Sequence, residues 1–221
     1  MTAGHSQLLV HNRVRLALHT LRGGAGRALL LLHGLGEHSP DSVPAEVSEW
    51  PGPIYALDFT GHGASSVPRG GGYTCELLMA DVDTALAHLG SATVIGRGLG
   101  AYISLLIAGG RPERVRGAIL RDGPGLAGGG SASNSALIPF VDASQPAPPD
   151  PFALVELATD IRPRDYACSF ARQAAQFSGL SRPLIVCARE RPGWLDSVVR
   201  ELDLELTPFP QALNWCAREQ T

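Results

Sequence analysis

Three stretches of this 221-residue sequence gather glycines with side chains able to do chemistry. They are Leu31-Leu32-His33-Gly34-Leu35-Gly36, then Leu57-Asp58-Phe59-Thr60-Gly61-His62-Gly63-Ala64-Ser65, then Val94-Ile95-Gly96-Arg97-Gly98-Leu99-Gly100. His33 closes an apolar run, where it either gives a proton to a substrate oxygen or simply organises its own turn. Asp58 and His62 pose the same choice between acid–base work and tying down a loop. The third stretch opens a helix. The first N–H groups of a helix have no internal partner and lie at its positive end, so the start near Leu99 suits an anion. Arg97 either adds a full charge there or pairs with a nearby acid. The same glycines also fit a dinucleotide fingerprint, Gly96-x-Gly98-x-x-Ala101, with Asp122 where the ribose-binding acid stands ~20 residues on. That fingerprint normally sits on the first strand of its domain, whereas here it lies mid-chain.

Composition removes several other chemistries. All 18 basic residues are Arg, which leaves no lysine for a Schiff base or a phosphate-binding P-loop. An arginine-only set follows from GC-rich codon preference, so a bacterial source is expected. Cys75, Cys168, Cys187 and Cys216 form no C-x-x-C pair; no metal or other cofactor is expected, and scattered thiols point to a reduced, cytoplasmic setting. The formal charge of −3 advertises neither nucleic acid nor an anionic membrane as a partner. Residues 1–10 lack the pattern of a signal peptide, and the longest apolar runs are far too short to span a bilayer.

The elements that must position these residues alternate between β-rich runs and helical patterns, which argues for a largely parallel sheet covered by helices. Strands are expected at residues 8–11, 14–20, 28–32, 54–57, 93–95, 118–120, 184–188 and 202–206, about eight in all. Thr74 and Gly90 cap a helix whose apolar face is Leu78, Val82, Ala85, Leu86 and Leu89. Further helices are expected at residues 99–108, through Tyr166, Phe170, Ala174 and Phe177, through Leu195, Val198, Val199 and Leu202, and at 211–219. Residues 123–150 are rich in glycine, serine and proline and read as a loop-rich insertion.

In order and spacing the three stretches resemble the α/β-hydrolase superfamily over nearly the whole chain. The first is similar to its H-G-x-G turn, the second to its D-x-x-G-H-G-x-S loop, and the third to its G-x-S-x-G nucleophile elbow. The resemblance implies one α/β-hydrolase domain over residues 1–221, with a shortened cap inserted at about 123–165. It also implies an oxyanion hole built from the backbone N–H groups of Leu35 and Leu99. The chain departs from the pattern where hydrolysis would occur. The nucleophile position is Gly98, and Ser104 lies too far along the helix to replace it. The seven histidines end at His88, so none follows the elbow. The family's later acid and histidine positions read Arg189-Glu190-Arg191-Pro192 and Thr207-Pro208-Phe209-Pro210-Gln211, which leaves Asp122 as the one well-placed acid.

A serine hydrolase needs a base within reach of its nucleophile, and here both are missing. The reading is a non-hydrolytic member, as in superfamily branches such as the gibberellin receptors that lost triad residues and serve in recognition. It would bind a small carboxylate or ester-like ligand, or a protein partner, in a pocket of His33, Gly34, Leu35, Arg97, Gly98, Leu99 and Asp122. Two alternatives stand beside it. One is a hydrolase or lyase with non-standard catalytic residues; the other is a dinucleotide-binding protein using Gly96, Gly98, Ala101 and Asp122.

Overall fold

A computed structural model describes residues 5–128 and 147–219. Strands β1 (His5–His11) and β2 (Val14–Arg22) form an antiparallel hairpin, and β2 pairs antiparallel with β4 (Ile54–Leu57). From β4 onward the sheet is parallel: β3 (Ala28–Leu32), β5 (Ala92–Arg97), β6 (Val115–Arg121) and β7 (Leu184–Val186). The order is β1-β2-β4-β3-β5-β6-β7. The central strand β3 is a continuous apolar run whose residues are nearly all buried.

Helices α1 (Cys75–Leu89), α2 (Leu99–Gly110), α4 (Arg164–Phe177) and α5 (Gly193–Glu201) supply one large core with Leu30, Leu32, Val94 and Leu120 of the sheet. The other face is thinner. Leu29, Ile54, Ile95, Ile119 and Ile185 pack there against α6 (Phe209–Arg218) and the residues around a single 3₁₀ turn, Ala45–Val47. The crossover from β3 to β4 holds no other helix, so this face is incompletely roofed.

The expected helices form, and Thr74 caps α1 by accepting from the Leu77 N–H at 3.2 Å. One expectation needs correction. Residues 202–206 are not an eighth strand, so the described sheet has seven. There α5 runs to Glu201, Asp203 turns with φ of 50°, and one bridging pair, Val186 with Leu206, forms before Pro208 removes the next donor. Just past the loop-rich segment stands α3 (Pro151–Glu156), whose Pro at the first turn and Asp150 cap, accepting from Phe152 N–H at 3.1 Å, start a helix despite the surrounding prolines. Residues 129–146 of the expected insertion lie outside the described residues. Among the described residues no helix is long and apolar enough to cross a membrane.

Candidate functional site

The turn from β5 into α2 is built on three glycines with different duties. A β-carbon at Gly100 would stand 2.5 Å from the Leu32 carbonyl oxygen and 2.6 Å from that of His33, so glycine lets the helix start press against β3. A β-carbon at Gly96 would meet the Gly100 backbone and the Ser104 hydroxyl. Gly98 itself has φ of 54° and ψ of −117°, a strained conformation that glycine adopts without a side-chain clash. The sharp elbow therefore forms with no side chain at residue 98. It leaves no space for one: a β-carbon at Gly98 would overlap the Pro124 carbonyl oxygen and the Gly123 carbonyl carbon. Ser104 is fully buried and donates to Gly100 O at 2.7 Å, as its place in the helix implied.

Pro124 also decides what the backbone donors do. The Leu35 N–H and the Leu99 N–H both point at the Pro124 carbonyl oxygen, each at 2.9 Å. Two amides from distant parts of the chain thus converge on one oxygen, with the α2 dipole behind it, as the resemblance implied for an oxyanion hole. The oxygen in the hole belongs to the protein itself. What remains beside Gly98 is a cavity of about 10 Å³, room for about one water, between Asp122, Glu190, Pro192 and Trp194. Leu99 N–H would also be the first donor to meet a pyrophosphate, so the dinucleotide alternative meets the same obstruction.

The polar side chains expected in the site are mostly committed to the backbone. His33 Nδ1–H donates to Gly34 O at 2.7 Å while Nε2 accepts from Phe59 N–H at 3.1 Å, which fixes one neutral tautomer. Burial, with the His62 ring nearby, pushes His33 down to about 3, so it carries no charge at neutral pH. His62 is fully buried; burial holds it too below the usual histidine range, and its Nδ1–H donates to Thr60 O at 3.2 Å. Burial works to raise Asp58, yet the Ala64 and Ser39 N–H groups and His19 outweigh it and hold the carboxyl below its ordinary range. Asp122 accepts from Arg189 N–H and Glu190 N–H, both at 2.9 Å, and so clamps the end of β6 to the turn after β7. A nucleophile–base pair does not assemble around Gly98 among the described residues.

Arg97 and His33 face another space. Residues 95 and 97 share one face of β5, and residues 119 and 121 share one face of β6, by the alternation of strands. On that face, over the unroofed sheet, opens a cavity of about 350 Å³. Leu31, Ile95, Pro40 and Pro44 line it with apolar surface, and Arg97, Arg121 and His38 stand among its polar walls. Arg97 pairs with Glu37 at 3.2 Å and is half-exposed, while Arg121 forks onto both carboxylate oxygens of Glu46. Sequence reasoning missed Pro124, Arg121, Glu37 and Glu46. Each acts through contacts far along the chain, and a carbonyl oxygen leaves no trace in residue type.

Comparison with known proteins agrees with this fold. The profile of the family described as serine aminopeptidase, S33, matches residues 24–137, about half of the chain. The chain belongs to this family of α/β-hydrolases. The thioesterase domain from the curacin biosynthetic pathway superposes with a TM-score of 0.66 at 15% identity, covering 98% of this chain and 97% of that one. A membrane phospholipase A described as a bacterial virulence factor gives a TM-score of 0.53 at 20% identity, over 92% of this chain and 76% of that one. These two likenesses speak to the fold. Epoxide hydrolase A from Mycobacterium thermoresistibile is 25% identical with a TM-score of 0.45, over 55% of this S33-family chain. The chain covers only 40% of that hydrolase and 39% of epoxide hydrolase VrEH1 from Vigna radiata. No curated protein matches the chain.

Proposed function

We propose that this S33-family protein binds rather than hydrolyses. The observation that carries the reading is the Pro124 carbonyl oxygen, held by Leu35 N–H and Leu99 N–H at 2.9 Å where a substrate's developing oxyanion would need those donors. Three losses then act together. Gly98 offers no oxygen, a backbone carbonyl fills its side-chain space, and no histidine follows residue 88. Removing a nucleophile and its base together costs little more than removing either, so restoring one alone recovers almost nothing. The protein keeps the α/β-hydrolase frame and uses it to hold a small molecule.

The test is direct. Purified protein is incubated with a serine-directed phosphonate and with activated short-chain esters. The expected result is no covalent adduct in the mass spectrum and no turnover above a heat-denatured control. A stoichiometric adduct on any serine would overturn the reading. One observation favours an enzyme with non-standard residues: His62 Nε2 has no hydrogen-bond partner. Turnover abolished by His62→Gln would establish that alternative.

A further inference from the structure

We infer that the ligand site lies over Leu31 and Ile95, on the opposite face of the strand ends from the elbow, and that it takes a small apolar carboxylic acid. The inference rests on the proposed binding role and gives it a place and a ligand class.

Three observations carry it. First, the two sides of the strand ends differ in space. About 10 Å³ remains beside Gly98, whereas the cavity over Ile95 holds about 350 Å³, within the range of small-molecule sites. That cavity exists because the β3-to-β4 crossover spans the face with a single 3₁₀ turn. Second, Arg97 and Arg121 are register partners on the adjacent parallel strands β5 and β6, so both guanidinium groups leave the same face at one level of the sheet. Each has a glutamate beside it, Glu37 and Glu46, so what the pair offers a ligand is N–H donors at one level of the sheet rather than unbalanced charge.

Third, the arginines have donors to spare. A guanidinium carries five N–H donors. Arg97 spends one nitrogen on Glu37, and Arg121 spends two on Glu46. Glu37 cannot do more for Arg97, because its second oxygen accepts from Gly34 N–H at 2.9 Å. The unspent N–H groups call for an acceptor, and a planar carboxylate matches their geometry. Leu31, Ile95, Pro40 and Pro44 then cover an apolar body such as a phenyl ring or a short branched chain.

The experiment is a titration of the whole protein, followed by backbone amide NMR, with phenylacetate, phenylacetamide, phenethylamine and inorganic phosphate. Phenylacetate is expected to bind at least ~10-fold more tightly than the amide, the advantage of a charge-assisted contact. Phosphate, which lacks the apolar body, is expected to bind more weakly than phenylacetate. Shifts should centre on residues 31, 95, 97 and 121. Arg97→Gln and Arg121→Gln should each weaken the acid ~10-fold and leave the amide unchanged. Thermal unfolding checks both variants; if Arg121→Gln fails to fold, the half-exposed Arg97→Gln decides. Equal binding of acid and amide, preference for the amine, no binding, or shifts centred on residues 35 and 99 would each overturn the inference. Ester turnover together with acid binding at Arg97 would sink the non-hydrolytic reading and leave this site standing. No acid binding and no turnover would do the reverse.

Discussion

Gly98 and Arg97 are neighbours in the chain, yet their surroundings differ in kind. Around Gly98 the backbone has closed: Pro124 O occupies the converging amides and leaves about 10 Å³. Around Arg97 the sheet meets an open cavity of about 350 Å³ whose two arginines, each paired with a glutamate, keep N–H donors to spare. The elbow side is packed by α2, α4 and α5 and leaves room for about one water, whereas the far side is roofed by one 3₁₀ turn and α6. The same strand ends are therefore closed on one side and open on the other. The difference follows from Pro124, which fills one side, and from the β3-to-β4 crossover, which spans the other with a single 3₁₀ turn.

The strongest way to break this contrast is to put a side chain back at the elbow. Gly98→Ser should cost roughly 3 kcal/mol or more, from backbone strain and overlap with Gly123 and Pro124, as read by denaturant unfolding. It should also yield no esterase. Wild-type stability in that variant would mean that the segment carrying Pro124 yields readily and the closed side is only a resting state.

Packing sharpens the same comparison. Leu99 is fully buried on the closed side, so Leu99→Ala should cost about 2–5 kcal/mol. Leu31 borders the cavity and has already lost part of its contact there, so Leu31→Ala should cost less, below about 2 kcal/mol. Equal losses would mean that the cavity is closed in solution.

Protonation tests the turn between the two sides. The folded-state value of His33 is about 3, well below its ordinary 6.5, so the folded protein binds fewer protons there than the unfolded chain. The resulting stability is fully present above pH 6.5 and is lost as pH falls from 6.5 toward 3. Asp81 works in the opposite sense. Burial raises it to about 7 from 3.8, so its contribution weakens as pH rises through that window. Unfolding midpoints across pH should show His33→Gln flattening the rise in stability from acid toward neutral pH and Asp81→Asn steepening it. Curves unchanged in both variants would remove the claim that the fold holds these groups uncharged in mildly acidic solution.

The smallest effect is expected at the rim. Arg97→Ala breaks one half-exposed ion pair and should change stability by no more than about 0.5 kcal/mol in the absence of ligand. A larger loss would make Arg97 a structural residue of the elbow and would weaken its assignment to the ligand.

Much of the fold was legible because its signals are local. The helix from Cys75 to Leu89 follows from Thr74, Gly90 and apolar residues at helical spacing, and the elbow follows from glycine at positions 96, 98 and 100. The pair of oxyanion-type donors, Leu35 and Leu99, was legible through motif order. The supposed last strand at 202–206 was misread because its alternation could not reveal that α5 would run on and that only one residue would meet β7.

The sequence by itself determined that a strained turn without a nucleophile opens α2 and that no histidine stands behind it, since both are matters of residue type and order. Tertiary structure decided what fills the site. The Pro124 oxygen reaches amides at positions 35 and 99, and Arg97 comes level with Arg121, through sheet register and loop closure over long separations. A carbonyl oxygen is present at every residue. Its value as a plug, like the value of two arginines as a pair, comes only from where the fold sets it down.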